Sequence, residues 1–152
     1  MKMLIAVDFS QIGTKVAEYG YKFAQKNDMD AVFIHCPPEA SRFLDGYGAH
    51  AFVVPANKAE QKAIEESARQ NLHALVERAI KVNGEPAVKV EECLAVGDPG
   101  EEILDYANEN NIDLIFAGYK SNSTIQEMLI GSTATKIARY AKCSVFIYRV
   151  AK

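Results

Sequence analysis

Residues 3–36 read MLIAVDFSQIGTKVAEYGYKFAQKNDMDAVFIHC. A short apolar run, residues 3–7, stops at Asp8, and a second, residues 31–36, stops at Pro37. Short continuous apolar runs bounded by turn residues fit strands covered on both faces. Between them, residues 11–26 place Val16, Gly20 and Phe23 on one stripe, flanked by Ala17 and Ala24, as in a helix with one buried side. The stretch therefore reads strand, helix, strand.

The same alternation continues along the chain. Further apolar runs lie at residues 88–90 (within 87–96), 113–117 and 144–150. A helix is predicted over residues 57–82, with Ile64, Ala68, Leu72, Leu75 and Ala79 inward. Another starts with Asp98 as N-cap, Pro99 in the first helical position and Glu101 completing a capping-box-like pattern. Its apolar face is Ile103, Leu104 and Ala107. The last covers residues 133–141, with Ala134, Ile137, Ala138 and Ala141 inward. Five strands alternating with four helices imply a parallel sheet with helices on both faces. The expected fold is a three-layer α/β/α sandwich, flavodoxin-like or Rossmann-like. In such sheets ligands sit beyond the carboxyl ends of the strands, where strand order reverses.

The chain has 152 residues, enough for one domain over 1–152 with its own core. With 17 basic against 20 acidic residues, the net charge of −3 argues against a general nucleic-acid surface. No apolar run approaches the ~20 residues of a membrane span. Residues 1–9 lack the apolar stretch and cleavage site of a secretory signal, so a cytoplasmic protein is expected. Cys36, Cys93 and Cys143 are far apart, and each lies in or beside an apolar run. They read as reduced core thiols, not as a disulfide or metal set. Residues 37–56 fit no element. They carry Pro37, Pro38, Pro55, Gly46 and Gly48 together with Phe43, Leu44, Tyr47 and Phe52. So apolar a segment is expected to fold back over the body or against a partner, as a lid would.

Candidate functional residues stand at the strand ends. Asp8 and Ser10 follow the first strand; an acid there can hold a ribose hydroxyl or an adenine amino group, and either residue can equally cap the next helix. His35 lies inside an apolar run and reads as a satisfied core residue. Neither His50 nor His73 has a metal-ligand partner at useful spacing. Gly118 closes the fourth strand and permits a sharp turn. Gly131-Ser132 opens the last helix, with Thr133 next. Free amides and the helix dipole there make an anion site, with the two hydroxyls as added donors; an ordinary turn and an ordinary Ser cap fit the spacing as well. No Walker motif, GxGxxG, GxSxG or HExxH occurs, and no nucleophile stands with an acid and a base.

Taken together these residues resemble the universal stress protein family, over nearly the whole chain. The likeness includes Asp8 and Ser10, Phe33-Ile-His-Cys36, Gly97-Asp98-Pro99 with Glu102-Ile103, and the strand from Cys143 to Arg149. The family's nucleotide-binding branch has a signature of Gly, two residues, Gly, nine residues, Gly-Ser/Thr. Gly118, Gly131 and Ser132 match it in register, while Ser121 replaces the middle glycine. The resemblance implies an adenine-nucleotide-hydrolase-like sheet in the order 3-2-1-4-5. It also implies a homodimer through the last strand, with Val145, Ile147 and Val150 near the contact, which would hide an exposed strand edge. The bound group would be ATP or another adenine nucleotide, with or without magnesium. Asp8 and the main chain at Cys36 would meet adenine and ribose; Ala117 and Gly118 would lie against the nucleotide; Gly131, Ser132 and Thr133 would hold phosphates. If position 121 needs a left-handed backbone, serine costs ~1–2 kcal/mol there, about a tenfold loss of affinity; its hydroxyl, or Lys120, could instead donate to phosphate.

Three functions follow from this reading. The first is a non-enzymatic stress-response regulator that binds an adenine nucleotide. The second is a dimeric interaction protein of the branch that binds none, with an unidentified protein partner. The third, a slow ATPase, has least support, since no general base or metal carboxylate beyond Asp8 is evident.

Overall fold

A computed structural model describes residues 1–37, 57–84, 87–119 and 130–150. Within them the elements are β1 (Lys2–Ala6), α1 (Gln11–Lys26), β2 (Asp30–His35), α2 (Lys58–Asn83), β3 (Val90–Leu94), α3 (Pro99–Glu109), β4 (Leu114–Gly118), α4 (Ser132–Tyr140) and β5 (Ser144–Tyr148). The strands form one sheet in the order β3-β2-β1-β4-β5, and every pairing is parallel. The sequence-based α/β/α expectation and its strand order are met. Of the segment 37–56 only Pro37 lies within the described residues, and Lys120 and Ser121 lie outside them.

β1 is the central strand, and Met3, Leu4 and Ile5 are wholly buried. Strand alternation sends them to opposite faces. Met3 and Ile5 join Val16, Tyr21, Phe33, Leu72, Val76 and Phe116 under α1 and α2. Leu4 joins Val32, Ile34, Ile103, Ile115, Ala117 and Ile137 under α3 and α4. The first three helices each start on a residue that suits the job. Ser10, Asn57 and Asp98 each accept a hydrogen bond from a first-turn amide, and Pro99 takes the position where no N–H is needed. Asp28 and Asn111, at φ 50° and 52°, turn the chain out of α1 and α3 into the next strand.

Four details differ from expectation. β3 lies at Val90–Leu94, later than residues 88–90, because an edge strand with one neighbour is only half covered and needs no continuous apolar run. Tyr21, which carries a hydroxyl, is fully buried in the first cluster. Ala138 is exposed, so α4 rests on Ala134 and Ile137, with Ala141 packing at the edge. The three cysteines are half-buried at the rim of the second cluster rather than inside it.

β5 is the other edge. Val145 and Ile147 pack on the second cluster, while Phe146 and Tyr148 turn to the α1 side. There Phe146 stacks on Phe116 at 5.0 Å and Tyr148 stacks on Tyr19 at 4.3 Å. Tyr19 remains 42% exposed and Phe146 37%, so an aromatic ledge borders the open strand.

α1 lies very close to the sheet. A Cβ at Gly20 would stand 2.9 Å from Ile5 Cγ2 and 3.2 Å from Phe116 Cδ1. Neither neighbour has slack, since both are fully buried. Gly20→Val is expected to lower the unfolding free energy by about 1–3 kcal/mol through overpacking. Urea denaturation followed by circular dichroism measures this, and an unchanged midpoint would show that α1 can lift without cost.

Candidate functional site

Strand order reverses between β1 and β4, so the carboxyl ends of these two strands mark the place where a ligand is expected. On the β1 side, Asp8 Oδ1 accepts from the Ser10 N–H (3.0 Å) and from the Ser10 hydroxyl. Ser10 Oγ in turn accepts from the Gly13 N–H at 2.9 Å. The two roles considered for these residues are thus joined: Ser10 is the cap of α1, and Asp8 braces the cap. Asp8 Oδ2 takes part in none of these bonds. Gly13 makes the arrangement possible, because a Cβ there would stand 2.2 Å from Asp8 Oδ1.

Behind Asp8 lies His35 at the end of β2. Its Nδ1 is 2.9 Å from the Val7 carbonyl, which can only accept, so Nδ1 carries the hydrogen. Phe9 lies against the imidazole with ring centres 4.0 Å apart and is itself 41% exposed. Burial holds the His35 pKa below its ordinary 6.5, against upward pulls from the Val7 hydrogen bond and Asp8. The ring is neutral at pH 7, in line with a satisfied, half-buried histidine.

The β2 and β3 exits run on together. The Ala95 N–H donates to the His35 carbonyl (3.1 Å), and the Gly97 N–H to the Pro37 carbonyl (3.1 Å). Cys36 lies between them, its thiol pushed up to about 12 chiefly by burial, with Glu102, Cys93 and Asp98 adding to the effect. Gly97, at φ 153°, leaves room for Glu102, whose Oε1 a Cβ would approach to 2.4 Å.

On the β4 side, Ala117 buries its side chain in the second cluster, which leaves only its main chain for a ligand. Gly118 does not have a left-handed backbone, so the turn is not its reason for being glycine. It is glycine for want of space: a Cβ would stand 2.9 Å from Val16 Cγ2. Tyr119 extends the β4–β5 ladder by donating its N–H to the Tyr148 carbonyl (2.8 Å). Its own carbonyl accepts from the Gly131 N–H (2.9 Å), which brings the start of α4 back to the sheet.

Gly131, not Ser132, is the N-cap of α4, and among the described residues no side-chain hydrogen bond closes that end. The ordinary serine cap is therefore not what the chain forms. Ser132 and Thr133 are the first helical residues, and their amides lie in the uncapped turn where the helix dipole favours an anion. Nearby, Lys136 Nζ reaches Asp98 Oδ1 (3.0 Å) and Glu101 Oε1 (3.1 Å), tying α4 to the start of α3. Burial alone would raise the Asp98 pKa, but Lys136 and the Glu101 amide outweigh it and hold the carboxyl below its usual range. On the outer surface His73 meets Glu92 at 2.9 Å. Among the described residues no group of His, Cys, Asp and Glu could hold a metal ion.

The structure thus gathers Asp8, Ser10, Cys36, Ala117, Gly118, Gly131, Ser132 and Thr133 along one edge of the sheet. The sequence reading missed Gly13, Phe9 and Tyr119. For Gly13 the only signal was a glycine three residues after the Ser10 cap; Tyr119, acting through its main chain, left none.

The sequence profile of the Universal stress protein family matches residues 1–149. The chain belongs to that family. Among curated members it is similar to the universal stress protein YxiE of Bacillus subtilis, 27% identical over 97% of this chain and 98% of that one. Its fold is that of the solved universal stress protein UspA from Lactobacillus plantarum, with a TM-score of 0.76, 21% identity, and 98% and 97% of the two chains covered. It also matches a universal stress protein solved in complex with cAMP, at a TM-score of 0.71, 19% identity, and 99% and 98% coverage.

The His35 environment gives this family member a testable pH response. The unfolded chain takes up the His35 proton near pH 6.5, and the folded chain only at lower pH. The contribution to stability is full above pH 6.5 and is lost as pH falls through the folded value. The thermal midpoint is expected to drop more between neutral and acidic pH in the wild type than in His35→Gln. Parallel curves would rule out this coupling.

Proposed function

We propose that this universal stress protein is a non-enzymatic, cytoplasmic regulator that binds an adenine nucleotide at the carboxyl edge of β1 and β4. The observation that carries the reading is the uncapped start of α4, bonded through Gly131 to Tyr119 at the end of β4. Amides in that turn suit a phosphate. Asp8, on the β1 side of the same gap, suits ribose or the adenine amino group, and Cys36 offers main-chain groups for the base. Ala117 and Gly118 form the floor between them, and Ser132 and Thr133 take phosphates, while Gly131, its N–H bonded to the Tyr119 carbonyl, shapes the turn that presents them. The cAMP held by a relative of the same fold supports an adenine nucleotide as the class. Magnesium, if it binds, would come with ATP.

A second reading has its own support. The open β5 edge and the aromatic ledge beside it suit a homodimer through Val145, Ile147 and Val150, or contact with another protein, in a member that binds no nucleotide. No helix among the described residues is long and apolar enough to cross a membrane.

Calorimetric titration with Mg-ATP and AMP separates the two. The wild type is expected to saturate, and Ser121→Gly to bind ATP up to about tenfold tighter. Absence of binding in both proteins overturns the nucleotide reading. Binding only after Ser121→Gly places the chain in the branch that binds none. Sedimentation should give twice the 16.8 kDa chain mass if the dimer forms.

A further inference from the structure

We propose that Phe9 is the platform on which the nucleobase stacks, so that the β1 exit holds the base by its flat face and leaves its edge to Asp8. This deepens the nucleotide reading above and rests on it. Phe9 follows Asp8 directly beyond the carboxyl end of the central strand β1, and it is 41% exposed. Burying an aromatic ring is favourable, so a ring left open where the fold class puts ligands has surface to offer one. Among the described residues the other exposed aromatics lie elsewhere. Tyr19 and Phe146 belong to the ledge along β5, and Tyr140 ends α4.

The ring is held in place before any ligand arrives. It lies against the His35 imidazole, with centres 4.0 Å apart and planes tilted by 36°. His35 is fixed in turn by the bond between its Nδ1 and the Val7 carbonyl at 2.9 Å. On either side of Phe9 in sequence, Asp8 and Ser10 are tied by the bonds that close the start of α1. A base stacking on such a ring orders little that is not already ordered, which favours affinity. Phenylalanine carries no donor or acceptor, so the stack registers that a base is present and not which one. Reading the amino group falls to the neighbouring carboxylate, whose Oδ2 lies outside the cap bonds. Phe9 thus acts on the base and on no phosphate, and its effect is the same along a series of adenosine ligands.

The test is calorimetric titration of ATP, AMP and adenosine into the wild type, Phe9→Leu and Phe9→Tyr, with Phe9→Trp as a reporter. Phe9→Leu keeps an apolar cover on His35 and removes the π face. It is expected to weaken all three ligands by a common factor of about tenfold, the scale of one base–aromatic stack. Phe9→Tyr, which keeps the ring, should stay within about twofold. The chain has no tryptophan, so Phe9→Trp carries a single one. Its emission is expected to be quenched by AMP at the concentrations where calorimetry shows binding, and to ignore ribose 5-phosphate, which lacks a base. Unchanged affinities in Phe9→Leu overturn the proposal, as does weakening that differs between ATP and adenosine. So does tryptophan emission that ignores AMP while calorimetry shows it bound, which marks Phe9 as a mere cover for His35. A wild type that binds none of the three ligands overturns the nucleotide reading itself, an outcome distinct from the others. Thermal midpoints check that each variant folds, and Phe9→Trp, which keeps a ring on His35, carries the test if Phe9→Leu does not.

Discussion

Helix α1 rests on the sheet so closely that a Cβ has no room at three contacts: Gly13 against Asp8, Gly20 against Ile5 and Phe116, and Gly118 against Val16. Close packing of this kind is rigid, because buried side chains cannot yield without losing contacts elsewhere. It also fixes the candidate site. The N-terminus of α1 can press on Asp8 only because position 13 lacks a side chain, and the Asp8–Ser10–Gly13 bonds then set where the carboxylate sits. Core packing and the geometry of the candidate site are here one constraint, applied at the start and in the middle of the same helix.

The candidate site is built largely from main chain, and this explains its modest charge signature. Amides at the start of α4, carbonyls and amides at the ends of β2 and β4, and one carboxylate from Asp8 supply most of its polar groups. None but Asp8 enters a count of acidic and basic residues. A net charge of −3 therefore sets no bar to an anionic ligand, because the attraction is local and comes from oriented dipoles.

Much of the fold was legible in residues 3–36 and their repetition. Buried strands of a parallel sheet are short, continuous and apolar, and β1, β2 and β4 announce themselves that way. β3 was harder, because an edge strand meets solvent along one side and its Val90-Glu-Glu-Cys-Leu94 pattern loses contrast. The strand-end residues were legible because the fold class says where ligands go. What the sequence could not show was spacing between elements. Gly118 read as a turn residue, whereas its reason is the Val16 methyl above it. Ser132 read as a possible cap, whereas Gly131 takes that position and leaves the turn open. Tyr119 ties β4 to the start of α4 through its main chain, which any residue with an N–H could do.

The half-buried Cys36 has a chemical consequence of its own. A thiol whose pKa is about 12 is protonated throughout the physiological range. At neutral pH its thiolate fraction is on the order of one in 100,000. Peroxides and disulfides react with thiolates, so Cys36 is a poor nucleophile even though it stands at the edge where a ligand would bind. Burial thus keeps Cys36 in its protonated, weakly nucleophilic form at the edge of the sheet where the strand-end residues gather.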